Sequence, residues 1–321
     1  KLIVEKITFH SQNVIQNMSK IKNIVPFLFE KLLSENTRVK TEKIILKVAL
    51  ISFFLHLALI YFLKFNFIDF LSNSELLKSP ISAIYTPFSF ILIYEVYLLI
   101  YYLPKSFTTY ITKQYEIITL IIIRKLFKDL SALELTENWF EIKGDLQFTY
   151  DLVASLLLFY LIFLFQKQGE QKAVQQASKK PIIEKFVKNK MLIAVILVPL
   201  FFAIALDTLI IWFKGISLSL NELPTFERIN NLFFEQFFTV LILVDVVLLL
   251  ISFFYTDQFH KIMRNSGFVI STILIRMSFG VSGLISTILI VVAVLFGLAI
   301  LTIHNKYEKN TLSNANSDTN H

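Results

Sequence analysis

Charged residues stand inside the apolar blocks of this chain, and that combination restricts its possible folds more than any other feature. Tyr94-Glu95-Val96 is followed, twenty-nine positions later, by Arg124 within Ile121-Ile122-Ile123-Arg124. Val244-Asp245-Val246 is followed, thirty-one positions later, by Arg276 within Ile273-Leu274-Ile275-Arg276. A carboxylate and then an arginine, each embedded in bilayer-grade hydrophobicity, point to a polytopic membrane protein with ionised groups in its interior.

Composition agrees with that class. Hydrophobic residues make up 55% of the 321 and mean hydropathy is +0.64, more than a water-soluble core of this size needs. Glycine and proline number only seven each, which favours long uninterrupted helices over a β-barrel of alternating apolar and polar positions. The expected fold is therefore all-α. The absence of cysteine excludes disulfides, thiolate metal sites and cysteine nucleophiles. The five histidines (His10, His56, His260, His304 and His321) show no metal-ligand spacing, so no metal and no cofactor is expected. The net charge of +7 comes from lysines lying between apolar blocks, where they act as topology signals rather than as a nucleic-acid surface. No glycine-rich phosphate loop, Gly-x-Ser-x-Gly elbow or His-Glu-x-x-His is present, so no catalytic residue is assigned and no enzyme is expected.

The hydropathy divides the chain into five parts. Residues 1–43 form a cytoplasmic or interfacial segment in which Ile21, Ile24, Val25, Leu28 and Leu32 recur at helical spacing; it either lies in the membrane interface or packs on the bundle. Residues 44–165 hold four expected spans, about 44–65, 82–103, 114–130 and 148–165. Residues 166–190 form a linker with seven lysines against two glutamates, the strongest positive-inside signal in the chain. Residues 191–304 hold four more spans, about 191–213 with Pro199 as a kink, 233–255, and two within Gly267 to His304 if the chain turns tightly at Phe279–Gly283. Residues 305–321 read as a disordered polar tail. Eight spans place both termini in the cytoplasm, and a bacterial inner (cytoplasmic) membrane is the expected location.

The two sets of four spans read as copies. Lys64 and Lys214 lie 150 positions apart, as do Glu95 and Asp245, and Thr119–Arg124 resembles Ser271–Arg276 at an offset of 152. An even number of spans per copy gives two parallel four-helix repeats about an axis along the membrane normal. The competing explanation is chance alignment of segments drawn from a small apolar alphabet.

Depth gives the four charges their meaning. With the third span starting at Gln114, a rise of about 1.5 Å per residue puts Glu95 about 12 Å and Arg124 about 15 Å from the inner edge, and Asp245 and Arg276 each about 15 Å from it. A lone charge there costs about 2.5–3.5 kcal/mol on insertion scales. Two roles compete for Glu95, Arg124, Asp245 and Arg276: structural locks between adjacent helices, or the lining of an ion path. One arginine per repeat is too few for a voltage sensor. The secondary candidates are Tyr94, a hydrogen-bond donor for Glu95; Glu116, a headgroup-level residue beside Lys113 or a site residue; Asp207, facing a cavity or the outer interface; and His56, a packing histidine or a proton carrier.

The sequence thus points to a channel or secondary transporter for a small ion, or to a membrane scaffold whose charge pairs only hold it together. The lipid bilayer is the expected partner, with a small ion and with self-association or a membrane complex compatible, and nucleic acid discounted. The lysine asymmetry predicts that single cysteines introduced at Ser178 and Ser131 react with an impermeant thiol reagent from opposite sides of the membrane. Labelling of both from one side would reject the topology.

Overall fold

The computed structural model describes residues 24–65, 80–132, 143–173, 181–218, 226–281 and 283–318. Every regular element among them is helical. A helix over residues 24–33 leads to α1 (Glu35–Lys64), a 3-10 turn (Pro80–Ile84), α2 (Tyr85–Tyr102) and α3 (Phe107–Ala132). Then come α4 (Lys143–Ala173), α5 (Pro181–Leu218), α6 (Phe226–Phe253), α7 (Phe259–Ser278) and α8 (Leu284–Asp318). Among the described residues, five helices are long and apolar enough to cross a membrane: Ile24–Lys64, Asp145–Gly169, Glu184–Asp207, Gln236–Phe253 and Leu284–Asn310. The apolar part of α2, Thr86–Tyr102, is shorter.

The ends of these helices follow local chemistry. Ser34 interrupts the first helix and caps α1, its Oγ accepting from the Thr37 amide at 3.2 Å. Pro104 stops α2, and Ser106 opens α3 by accepting from the Thr109 amide at 3.1 Å. The α7–α8 break falls within Phe279–Gly283, where Gly283 has φ +78°, a left-handed conformation that glycine adopts without a Cβ penalty. Helix α5 continues through Pro199.

Three expectations need correction. Helix α3 starts at Phe107, seven residues before Gln114, because Thr108, Thr109 and Lys113 mask its first two turns in a hydropathy reading. The linker over 166–190 is helical up to Ala173 and again from Pro181, leaving residues 174–180 outside the described part. The polar tail expected to be disordered continues α8 as far as Asp318, since extending a formed helix costs far less than nucleating one.

Neighbouring helices pack in the order α1, α2, α3, α4, α8, α7, α6, α5, and α5 returns to α2, while α3 and α7 touch across the middle. These two inner helices are more polar than the outer ones and neither qualifies as a candidate span on its own. Buried polar side chains account for this: Thr112, Gln114 and Thr119 on α3, and Asn265, Ser271 and Thr272 on α7. The outer helices turn large apolar side chains outward, such as Leu152, Leu156, Phe159 and Phe163 on α4, as a lipid-facing surface does.

At the centre, Tyr115 of α3 hydrogen-bonds Ser271 of α7 at 2.7 Å, and Ser271 Oγ donates to the Ala293 carbonyl of α8 at 2.6 Å. The Tyr115 hydroxyl lies 1.9 Å from where a Cβ on Gly297 would sit, so only glycine lets α8 approach. Gly297→Ala is therefore expected to lower stability by about 1–3 kcal/mol, the range for overpacking a tight core. Unfolding in detergent measures this, and Tyr115→Phe in the same chain is expected to recover part of the loss.

Candidate functional site

The site assembles around Asp245, midway along the apolar stretch Gln236–Phe253 of α6 and 1% exposed. Gln114 of α3 donates from Nε2 to both carboxylate oxygens, at 3.3 Å to Oδ1 and 3.0 Å to Oδ2. Thr272 of α7 brings its Oγ1 to 3.5 Å from Oδ2 while donating to the Val269 carbonyl at 2.9 Å. Tyr110, one turn before Gln114 on the same face of α3, is fully buried with its hydroxyl turned toward Asp245 and Gln114. That hydroxyl meets no hydrogen-bond geometry among the described residues. Helices α3, α6 and α7 thus converge on one carboxylate through neutral donors.

A cavity of about 20 Å³ adjoins this group, lined by Gln114, Asp245, Thr272 and Arg276 together with apolar side chains that include Leu99 and Phe238. That is room for about one water molecule. Lys190 of α5, 1% exposed, adds a positive charge that acts on Asp245. Its Nζ donates to the Lys105 carbonyl at 2.6 Å in the α2–α3 turn and lies over the rings of Phe107 and Phe186, at 4.9 and 5.3 Å.

The four charged candidates separate. Asp245 and Arg276 line the same cavity, but no ion pair joins them among the described residues. Glu95 and Arg124 are not paired either, and the longer α3 is the reason. Starting at Phe107, α3 presents Lys113 and Glu116 at the level of Glu95, and these two, with Glu42, are its electrostatic neighbours. Arg124 lies eight residues beyond Glu116, about 12 Å further along the helix, and is buried there at 7% exposure.

The secondary candidates also find other partners. Tyr94 donates to Glu42 at 3.0 Å, not to Glu95. With Tyr97 donating to the Leu32 carbonyl at 3.0 Å and Tyr101 to Glu35 at 2.5 Å, it ties α2 to α1 and the helix before it. Glu116 accepts from Lys113 at 2.5 Å and from Gln166 at 2.7 Å. His56 shares a hydrogen bond with Thr86 at 2.5 Å, and Asp207 is exposed on α5.

Two buried polar groups fall outside the sequence reading. Asp151 of α4, 3% exposed, accepts from Lys125 of α3 at 2.7 Å, from Gln147 at 2.8 Å and from Thr287 of α8 at 2.5 Å. The available signal was an acid four residues after Gln147 at the start of an apolar helix. Near the start of α7, Arg264 contacts His304 of α8 at 3.1 Å, and the rings of His304 and His260 stack with centroids 5.1 Å apart. No group of three histidine or carboxylate side chains that could hold a metal converges among the described residues. Comparison with family models, with curated proteins and with solved structures finds no match to this chain.

The geometry predicts which residues are energetically coupled. Asp151→Ala is expected to cost about 1–3 kcal/mol by leaving its donors unsatisfied, with the half-exposed Lys125 keeping the loss below that of a fully buried ion pair. Glu95→Gln and Arg124→Gln are expected to combine additively, within about 0.5 kcal/mol. Unfolding of the single and double variants in detergent checks both, and a larger coupling between Glu95 and Arg124 would contradict this placement.

Proposed function

We propose that this protein moves a small ion across a membrane, as a channel or secondary transporter, with Asp245 as the group that binds it. The observation that carries this reading is a carboxylate, buried in a candidate span, whose hydrogen bonds come from an amide and a hydroxyl and which opens on a water-sized cavity. Taking a carboxylate out of water is costly, and a purely structural role is best served by a direct, dry ion pair. Neutral donors keep the carboxylate in place and leave its charge available to a ligand.

We extend the reading to the architecture: eight spans in two parallel four-helix halves, with both termini in the cytoplasm. Consecutive helices pack within each half, and the helices that touch between halves include α3 with α7 and α4 with α8, the equivalent members of the two sets. A two-fold axis would bring such equivalents together. The α2–α5 contact departs from that symmetry.

A second reading, a scaffold held by buried charges, has the Asp151 cluster behind it. There a carboxylate is tied to a lysine and two further donors across three helices, as a lock requires.

Asp245→Glu discriminates between these readings. In an ion-binding role it is expected to fold, as judged by gel filtration and helical circular dichroism, yet to change the rate or pH dependence of ion flux in liposomes. A change in stability alone, with flux unaltered at every pH, would favour the scaffold.

A further inference from the structure

His304 of α8, 3% exposed, is held at both ring nitrogens. Arg264 Nη1 of α7 lies 3.1 Å from Nε2, and the His260 carbonyl lies 3.2 Å from Nδ1. A guanidinium can only donate and a carbonyl can only accept, so Nδ1 carries the proton and Nε2 presents a lone pair. The contact with Arg264 therefore requires a neutral ring. Glu308 Oε2, one turn further along α8, stands 3.7 Å from the same Nε2 and can accept from it only when that nitrogen is protonated. We propose that His304 is a pH-sensitive latch between α7 and α8: the neutral ring takes a hydrogen bond from Arg264, and the protonated ring gives that contact up and donates from Nε2 to Glu308.

The groups around the ring give the latch its two positions. Among the described residues, the charged and titratable groups that face it are Arg264 and His260 of α7, with Lys261 beside them on the same turn, and Glu308 of α8. On α4, the other helix packed against α8, this end meets the uncharged Gln168, which accepts from Thr302 and Asn305. Protonation sets an N–H against the Arg264 N–H and a second positive charge beside the guanidinium, while the Glu308 carboxylate, which acts on Arg264 as well, offers the new N–H an acceptor. A proton from water adds to Nε2, and no other covalent bond changes. The start of α7 is what this releases. Arg264 keeps its bonds to Asn265 Oδ1, 3.2 Å from Nε and 3.0 Å from Nη2, and Asn265 Nδ2 donates to Ser252 of α6 at 3.4 Å, so the arginine ties α8 to α7 and to the end of α6. Further in, Gly267 lies so close to α8 that a Cβ there would stand 2.8 Å from Ile300, and this tight packing confines the movement to the first turns of α7. The latch requires no transport through Asp245.

Spin labels on Met263→Cys and Ile303→Cys, exposed positions next to Arg264 and His304 in a chain without native cysteine, read the α7–α8 separation in lipid. Lowering the pH from about 8 to about 5, the range over which histidine changes charge, is expected to weaken the coupling between the labels as the start of α7 comes away. Nitrogen-15 spectra over the same range are expected to show the His304 ring, assigned by its loss in His304→Gln, pass from the neutral Nδ1–H form to the doubly protonated one. His304→Gln keeps an acceptor for Arg264 and does not titrate, so its labels are expected to hold the high-pH coupling throughout. Glu308→Gln removes the charge that receives the protonated ring, and the change in coupling is expected to move to lower pH. This second variant leaves the neutral contact intact and carries the test where His304→Gln does not fold. A coupling that stays constant in the native sequence while the ring takes up a proton, a ring that stays neutral throughout, or a transition unaltered in His304→Gln or Glu308→Gln would each overturn the latch.

Discussion

A carboxylate removed from water loses solvation worth several kcal/mol, and the protein must replace it with hydrogen bonds or opposite charge. Asp245 presents that demand within the apolar part of α6, and the two inner helices answer it, with Gln114 and the Tyr110 hydroxyl from α3 and Thr272 from α7. This explains why α3 and α7 are the polar members of the bundle. Their polar side chains face one another and α6, while the outer helices supply the surface suited to lipid. Close approach then depends on small residues, as where Gly297 makes room for the Tyr115 hydroxyl.

Asp245 and Asp151 answer the same demand in different ways. Asp151 is closed by a lysine and two neutral donors across α3, α4 and α8. Asp245 keeps its cations at a remove: Lys190 is held by a backbone carbonyl and two aromatic rings, and Arg276 stands in the wall of the cavity. One carboxylate is built to stay paired, and the other is placed where it can exchange a partner. The proposed division between a structural and an ion-binding role rests on that difference in donors.

The helical class and most of the helices were legible in the sequence, because long apolar runs and lysine-rich breaks dominate the pattern. The turn at Phe279–Gly283 was legible too, through its glycines. The start of α3 was not, since its first two turns carry threonines and a lysine, and the lysine is paired with Glu116 of the same helix. That error of seven residues moved Arg124 to the level of Glu95 and produced a pairing that the helix geometry does not allow. Asp245 was identifiable as a charge within an apolar segment, but Gln114 was read only as a boundary and Lys190 only as part of a basic linker. Hydropathy ranks residues by their cost in lipid; it cannot say which polar residues meet each other across helices. The side chain of Lys190 illustrates this, held by the Lys105 carbonyl and the Phe107 ring, more than eighty positions away in sequence, together with the nearby ring of Phe186.

The central claim is that Asp245 binds an ion the protein carries, and flux measures it most directly. Purified protein in liposomes under an imposed ion gradient and potential is predicted to dissipate that gradient, with Asp245→Asn inactive and the structurally placed Asp151→Asn still active wherever it folds. No flux above that of protein-free liposomes, or equal flux from wild type and Asp245→Asn, would contradict the account.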